Sequence, residues 1–262
     1  MIKAKKSLGQ NFLIDNNVIE KIINITQIKN KNILEVGPGT GNLTSAILKK
    51  KPKKVIVVEK DFELVSLLKK NFKEEIEIIN NDILKINENE IINDPLIVFG
   101  NLPYNISTEI LIKWILNIKN ERVWFDYLVL MFQKEVADRI TANVNSKNYG
   151  RLSILTSWRM NVKKIADVSP NSFFPIPKVK STILLIEPKI KHYNLKNPKN
   201  LEYITSVFFN QRRKMIKKPL NLIFNKSKEV SKKLNINVND RPQNLDPSKY
   251  FEICKEYEKL IF

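Results

Sequence analysis

One cysteine and one histidine occur in 262 residues. A lone Cys254 excludes an intrachain disulfide framework and suits a reducing cytoplasm. His192 sits in a polar stretch between Lys191 and Tyr193, and one imidazole with one thiol argues against a zinc site and against a Ser-His or Cys-His catalytic pair. No metal is expected. Long apolar runs are missing too: none approaches the roughly 18 residues that span a bilayer, so no membrane partner is expected. Basic Met1–Lys6 has no apolar stretch behind it and does not read as a signal peptide. Internal repeats and long low-complexity tracts are also lacking. The length suits one large domain and a smaller one.

Positive charge is plentiful, with a formal net of +18. Up to Pro170 there are 26 Lys and Arg against 19 Asp and Glu, a net of +7; from Asn171 onward there are 19 against 8, a net of +11. That asymmetry points to a polyanion gripped mainly by the C-terminal part. Lys, Asn and Ile are overused throughout, as an A/T-rich genome would produce, so clustered arginines carry more information than the lysine total.

Apolar runs at Asn32–Val36, Val55–Val58, Ile76–Ile79, Leu96–Phe99 and Phe125–Phe132 read as buried strands, with two more expected near Leu152–Trp158 and Val179–Glu187. Helical patterns separate them at about 43–50, 62–72, 108–116 and 134–142, and Asp15 is placed to cap a helix bearing Val18, Ile19, Ile22 and Ile23. Alternation of this kind predicts an α/β fold with a mostly parallel sheet covered on both faces. After Pro188 a polar linker leads into apolar helical patterns at about 203–209, 220–224 and 251–260, giving domains expected at 1–188 and 189–262. Ligands of such sheets bind outside the carboxyl ends of the strands. Gly37, Glu59, Asp82 and Asn101 all fall there.

The chemistry is concentrated in Asn101-Leu102-Pro103-Tyr104. The Asn101 amide oxygen and the Leu102 carbonyl can accept from one exocyclic amine while Tyr104 stacks on the base that carries it. Gly37-x-Gly39-x-Gly41 lacks the usual dinucleotide spacing, yet glycines there let a ligand approach the backbone. Glu59 can accept from two ribose hydroxyls, or serve as a helix-start carboxylate. Asp82 can accept from an adenine amine, cap a turn, or do both, with Ile83 packing on the ring. Together they suit S-adenosylmethionine better than a nicotinamide. Either Phe173 or Phe174 could clamp the base opposite Tyr104; core packing beside a proline-stiffened turn is the alternative, and for Phe174 it is the expected one. Arg212, Arg213 and Lys214 could hold phosphates or form a solvated helix end.

Several motifs carry a resemblance across nearly the whole chain. They are Leu8-Gly-Gln-Asn-Phe-Leu13, Glu35-Val-Gly-Pro-Gly-Thr-Gly41, Glu59-Lys-Asp61 and Asn101-Leu-Pro-Tyr-Asn-Ile-Ser-Thr108. Others are Gln133-Lys-Glu-Val136, Tyr149-Gly-Arg-Leu-Ser153, Pro177-Lys-Val179, Phe209-Asn-Gln-Arg-Arg-Lys214 and Arg241-Pro-Gln-Asn-Leu245. In these the sequence resembles the bacterial small-subunit ribosomal RNA adenine dimethyltransferases. The resemblance implies a class I methyltransferase (Rossmann-like) seven-stranded sheet, its last strand antiparallel, with a small C-terminal helical domain. It implies S-adenosyl-L-methionine as donor and dimethylation at N6 of two adjacent adenines in the 3′-terminal hairpin loop of 16S rRNA, on an immature 30S ribosomal subunit. It places Asn11, Leu13, Gly37, Glu59, Asp82 and Asn101 at the cofactor or methyl-transfer site, Asn101 and Tyr104 at the target adenine, and Phe173 stacked on that base. Ile176 departs from the pattern, where the family commonly has proline.

Two further readings stand beside this one. The chain could act mainly as a non-catalytic checkpoint factor in small-subunit assembly, or as an adenine methyltransferase on large-subunit rRNA or DNA. Nothing calls for an oligomer, and a monomer is expected.

Overall fold

A computed structural model of the protein describes residues 4–118 and 123–261; Met1–Lys3 of the expected basic arm lie outside them. The chain forms two compact units. One holds the residues up to Ala137 together with Val162–Pro188, and the other holds Asp138–Asn161 and the residues from Lys189 onward. No helix among the described residues is long and apolar enough to cross a membrane.

In the first unit the order is β1 (Phe12–Leu13), α1 (Asn16–Ile23), β2 (Asn32–Val36), α2 (Asn42–Lys49), β3 (Lys54–Glu59), α3 (Phe62–Phe72) and β4 (Glu77–Asn80). Then come β5 (Leu96–Asn101), α4 (Ser107–Leu116) and β6 (Phe125–Gln133), with α5 (Lys134–Ile140) and α6 (Arg151–Arg159) leading into the second unit. β7 (Met160–Val168), β8 (Phe173–Phe174) and β9 (Ser181–Pro188) return to the first. The main sheet has seven strands in the order β4-β3-β2-β5-β6-β9-β7. β2 to β6 are parallel, and β9 is antiparallel to β6, with Leu128 opposite Ile186 and Gln133 opposite Ser181. Buried on both faces, β3 and β5 are apolar through their middles, as central parallel strands must be, and β2 is so apart from the buried Asn32 and Glu35.

Strand order reverses between β2 and β5, which puts the sheet's crevice at their carboxyl ends. The register aligns those ends: Val36 lies opposite Val58 and Gly100, and Glu59 opposite Asn80. Whatever follows each strand therefore faces the same space. α1 is capped by Asp15, whose carboxylate accepts from the Asn17 and Val18 amides, and it buries Ile19, Ile22 and Ile23 in the core that also takes Leu43, Phe99 and Met131.

Two expectations need correction. The strand expected near Leu152–Trp158 is the helix α6, and the sheet's sixth strand in chain order is β7, immediately after it. Short apolar runs do not distinguish a buried helix from a strand; here the Ser153 hydroxyl accepts from the Gly150 amide and turns the chain into a helix. The second unit also begins earlier than residue 189, because α6 packs with α7 (Pro198–Phe209) and α10 (Pro247–Ile261), the helices that bury Trp158, Phe208 and Tyr250. Glu258 of α10 is buried at the start of α7, accepting from the Lys196 and Asn197 amides and from Asn200 Nδ2. A carboxylate there meets unpaired amides and the positive end of the helix. α8 (Lys217–Ile223) and α9 (Ser227–Lys233) complete the unit.

Candidate active site and nucleic-acid interface

A cleft opens at the carboxyl edge of the parallel strands, where ligands of such sheets bind. Asn11, Leu13, Gly37 and Glu59 line it, and so do Asp82, Asn101, Leu102 and Tyr104. Eight of the nine residues expected at the cofactor and target-base sites thus share one space.

The glycine-rich turn between β2 and α2 forms one wall. Gly39 has φ +58°, and a Cβ there would lie 2.7 Å from Phe12 Cδ1; Gly41 has φ +87°, and a Cβ would lie 2.5 Å from Phe72. The turn can therefore close under Phe12 of the N-terminal segment and against Phe72 of α3 only because Gly39 and Gly41 lack side chains. That segment is tied down along its length. Lys5 Nζ and Gln10 Nε2 donate to Asp61 at 2.7 and 2.9 Å, and Asn42 Nδ2 donates to the Leu13 carbonyl at 2.8 Å.

Glu59 ends β3 almost fully buried, its carboxylate accepting from the Asp61 amide at 2.8 Å. It is not the helix cap; Asp61 takes that part, accepting from the Glu63 amide. Burial pushes the Glu59 carboxyl above its ordinary value, and backbone donors at Asp61, Gly39 and Lys60 oppose the shift. Beneath it Glu35 is wholly buried, accepts from Thr44 Oγ1 at 2.6 Å, and is pushed up to about 7 by burial, with the Glu59 charge adding to the rise. Asp82 caps the turn Ile83–Lys85 through the Leu84 amide, and its other oxygen meets Lys60 Nζ at 2.9 Å. That ammonium holds the Asp82 carboxyl below the usual range.

At the end of β5, Asn101 Nδ2 donates to the Asn11 carbonyl at 2.7 Å. The amide group is thereby oriented: nitrogen toward the N-terminal segment, Oδ1 left as an acceptor. Tyr104 is half-buried, its hydroxyl 2.6 Å from Ser181 Oγ, which fixes the ring from β9.

Phe173 departs from expectation. β8 pairs with β1, Leu13 opposite Phe173 and Phe12 opposite Phe174, and neighbouring side chains on a strand face opposite ways. Phe173 is the inward one, 1% exposed within the core, and Phe174 is 57% exposed. The ring at the surface is Phe174, which was expected to pack in the core.

The family described as ribosomal RNA adenine dimethylase matches residues 1–259. This chain belongs to the ribosomal RNA adenine dimethylase family. It is 64% identical over 259 residues to Ribosomal RNA small subunit methyltransferase A of Pelagibacter ubique, covering 99% of this chain and 98% of that one. It is 40% identical over 265 residues to the protein of the same name from a Wolbachia of Drosophila simulans, covering 100% of this chain and 96% of that one. Among solved structures it resembles a dimethyladenosine transferase from Plasmodium falciparum, at 30% identity and TM-score 0.81, over 95% of this chain and 98% of that one. The 23S rRNA methyltransferase ErmE shares the fold at 22% identity and TM-score 0.68, over 95% of this chain and 100% of that one. As a member of this family the protein is a methyltransferase of the class I, Rossmann-like fold.

An rRNA adenine dimethylase must also hold a polyanion, and the second unit of this one is the basic part. It carries 21 Lys and Arg against 8 Asp and Glu, which is +13 of the chain's +18. The three cations after α7 divide there. Arg212 is half-buried and donates through Nε to Gln243 Oε1 and through Nη2 to the Ser146 carbonyl, each at 3.1 Å. Arg213 and Lys214 are exposed, as are Lys217 and Lys218 at the start of α8. The Arg241–Leu245 segment is a structural junction: besides Gln243, the Leu245 carbonyl accepts from Tyr149 and the Pro242 carbonyl from Tyr250. Sequence reading assigned no part to Glu35, Lys60 or Ser181; the signal for each was its place in or beside a motif at a strand end.

Proposed function

We propose that this protein transfers methyl groups from S-adenosylmethionine to N6 of two adjacent adenines in the 3′-terminal hairpin loop of 16S rRNA, within an immature 30S subunit. The observation that carries the proposal is the Asn101 amide, held by the Asn11 carbonyl and opening beside Tyr104 into the cavity that Glu59 and Asp82 line. The identity to relatives named for the small subunit supports the choice of substrate.

The cavity's donor and acceptor set fits an adenosyl ligand. Glu59 is an acceptor for ribose hydroxyls, Asp82 an acceptor for the ring amine, Ile83 an apolar wall, and the Gly37–Gly41 turn gives close backbone approach. Bound there, S-adenosylmethionine supplies an electrophilic methyl group on its sulfonium. The protein's part is to make a poor nucleophile competent. In the first transfer Asn101 Oδ1 and the Leu102 carbonyl accept from the two amine hydrogens, and in the second one of them accepts from the hydrogen that remains, which favours a tetrahedral nitrogen whose lone pair is out of conjugation with the ring. Tyr104 supports one face of the base, and Phe174, rather than Phe173, offers a ring for the other. Catalysis is then positioning and hydrogen bonding; the nitrogen becomes acidic as it takes the methyl group and gives its proton to water, with no strong base required. The second unit, with Arg213 and Lys214 exposed, grips phosphates. In this reading the protein is a monomer when free of its substrate.

The test mixes purified protein and labelled S-adenosylmethionine with unmethylated small-subunit particles, large-subunit RNA and duplex DNA, and locates the modified base by mass spectrometry. Dimethyladenine confined to the small-subunit hairpin is the expected result. Label on the other nucleic acids overturns the substrate, and binding to particles without label favours a checkpoint factor.

A further inference from the structure

The segment after β4 holds an ion pair, its carboxylate fully buried and its ammonium partly so, that methyl transfer does not use. Glu88 is fully buried and accepts from Lys113 Nζ at 2.5 Å and from Trp114 Nε1 at 2.7 Å. The same ammonium donates to the Ile83 carbonyl at 2.7 Å and to the Ile86 carbonyl at 2.5 Å. An ammonium has three protons, and three partners within residues 83–88 account for them. Lys113 stands on α4, the helix that begins three residues after Tyr104. Asp82, Ile83 and Leu84, on the other side of this contact, line the cavity.

An apolar side chain could pack α4 against this segment without the desolvation that burying an ammonium and a carboxylate costs. What the ion pair adds is direction. It fixes the Ile83 backbone relative to α4, and Asp82 is bound to the same turn through the Leu84 amide. We infer that Lys113, paired with Glu88, is a positioning residue for the adenine end of the cavity: it fixes the Asp82–Leu84 turn and so sets the preference for a ring that bears an amine. The inference rests on the proposed reading of Asp82 as the acceptor for that amine.

The test titrates S-adenosylhomocysteine and S-inosylhomocysteine, whose ring has a carbonyl oxygen in place of the amine, into the full-length protein and Lys113→Met by calorimetry. The unaltered protein should bind the adenine ligand about tenfold more tightly, the scale of one charge-assisted hydrogen bond. In Lys113→Met that preference should shrink to about twofold, with donor KM raised and kcat at saturating donor within about threefold of the parent. Because Lys113→Met leaves the buried Glu88 without its counter-charge, only Trp114 Nε1 still donating to it, Lys113→Met/Glu88→Gln is run beside it and should show the same narrowed preference. An unchanged preference in a folded variant, with both ligands weakened alike, makes Lys113 a structural prop and overturns the inference. An unaltered protein that does not distinguish the two ligands overturns the reading of Asp82, and the inference with it.

Discussion

Replacing Glu35 by Gln should make the protein more stable at alkaline pH and leave it almost unchanged in acid. Glu35 is wholly buried, and its carboxyl stands at about 7 against an ordinary 4.5, chiefly through burial, with the Glu59 charge adding to it. The folded protein therefore keeps a proton that the unfolded chain gives up near pH 4.5. Its contribution is fully present below 4.5 and is lost as pH rises through 7. A carboxyl moved from 4.5 to about 7 corresponds to about 3 kcal/mol, of which about 2–3 kcal/mol falls between pH 5 and 8. Gln is neutral at every pH and keeps an oxygen to accept from Thr44 Oγ1. Urea titrations of both proteins at pH 5 and 8 should show Glu35→Gln gaining about 2–3 kcal/mol on the parent between the two. Parallel curves at both pH values would show that Glu35 holds no proton in the folded state, and the reasoning would fail.

Other changes separate roles that the sequence alone leaves merged. Arg213→Ser/Lys214→Ser should flatten the salt dependence of rRNA binding, with the slope falling by about two. Arg212→Ala should instead lower the melting temperature, costing about 1–3 kcal/mol through its bonds to Gln243 and Ser146. Gly39→Ala should cost about 1–2 kcal/mol by thermal unfolding, since alanine at φ +58° is strained and its Cβ meets the Phe12 ring. Tyr104→Phe keeps the ring and loses the Ser181 bond, so it should cost about 1 kcal/mol of stability while retaining far more turnover than Tyr104→Ala.

The cavity was legible in the sequence because a parallel sheet leaves little freedom. Once β2, β3, β4 and β5 are recognised as apolar runs separated by helices, Gly37, Glu59, Asp82 and Asn101 must come out on one edge. What failed was decided by tertiary partners. α6 and β7 adjoin in sequence, and the apolar run of α6 carries no periodicity to mark it helical. Phe173 and Phe174 are identical neighbours, and pairing with β1 alone decides which faces inward. Arg212 looks like its neighbours until Ser146, 66 positions away, and Gln243, 31 away, reach it. Lys113 and Glu88 likewise gave no signal, being 25 residues apart with no motif around either.

The most direct measurement is turnover and cofactor affinity for Asn101→Ala, with small-subunit particles as substrate and calorimetry for S-adenosylhomocysteine. If the Asn101 amide presents the target amine, turnover should fall by about a hundredfold or more, the scale of losing a hydrogen-bonding group that acts in the transition state. Cofactor affinity should stay within about threefold. Turnover close to that of the parent would contradict the account at its centre.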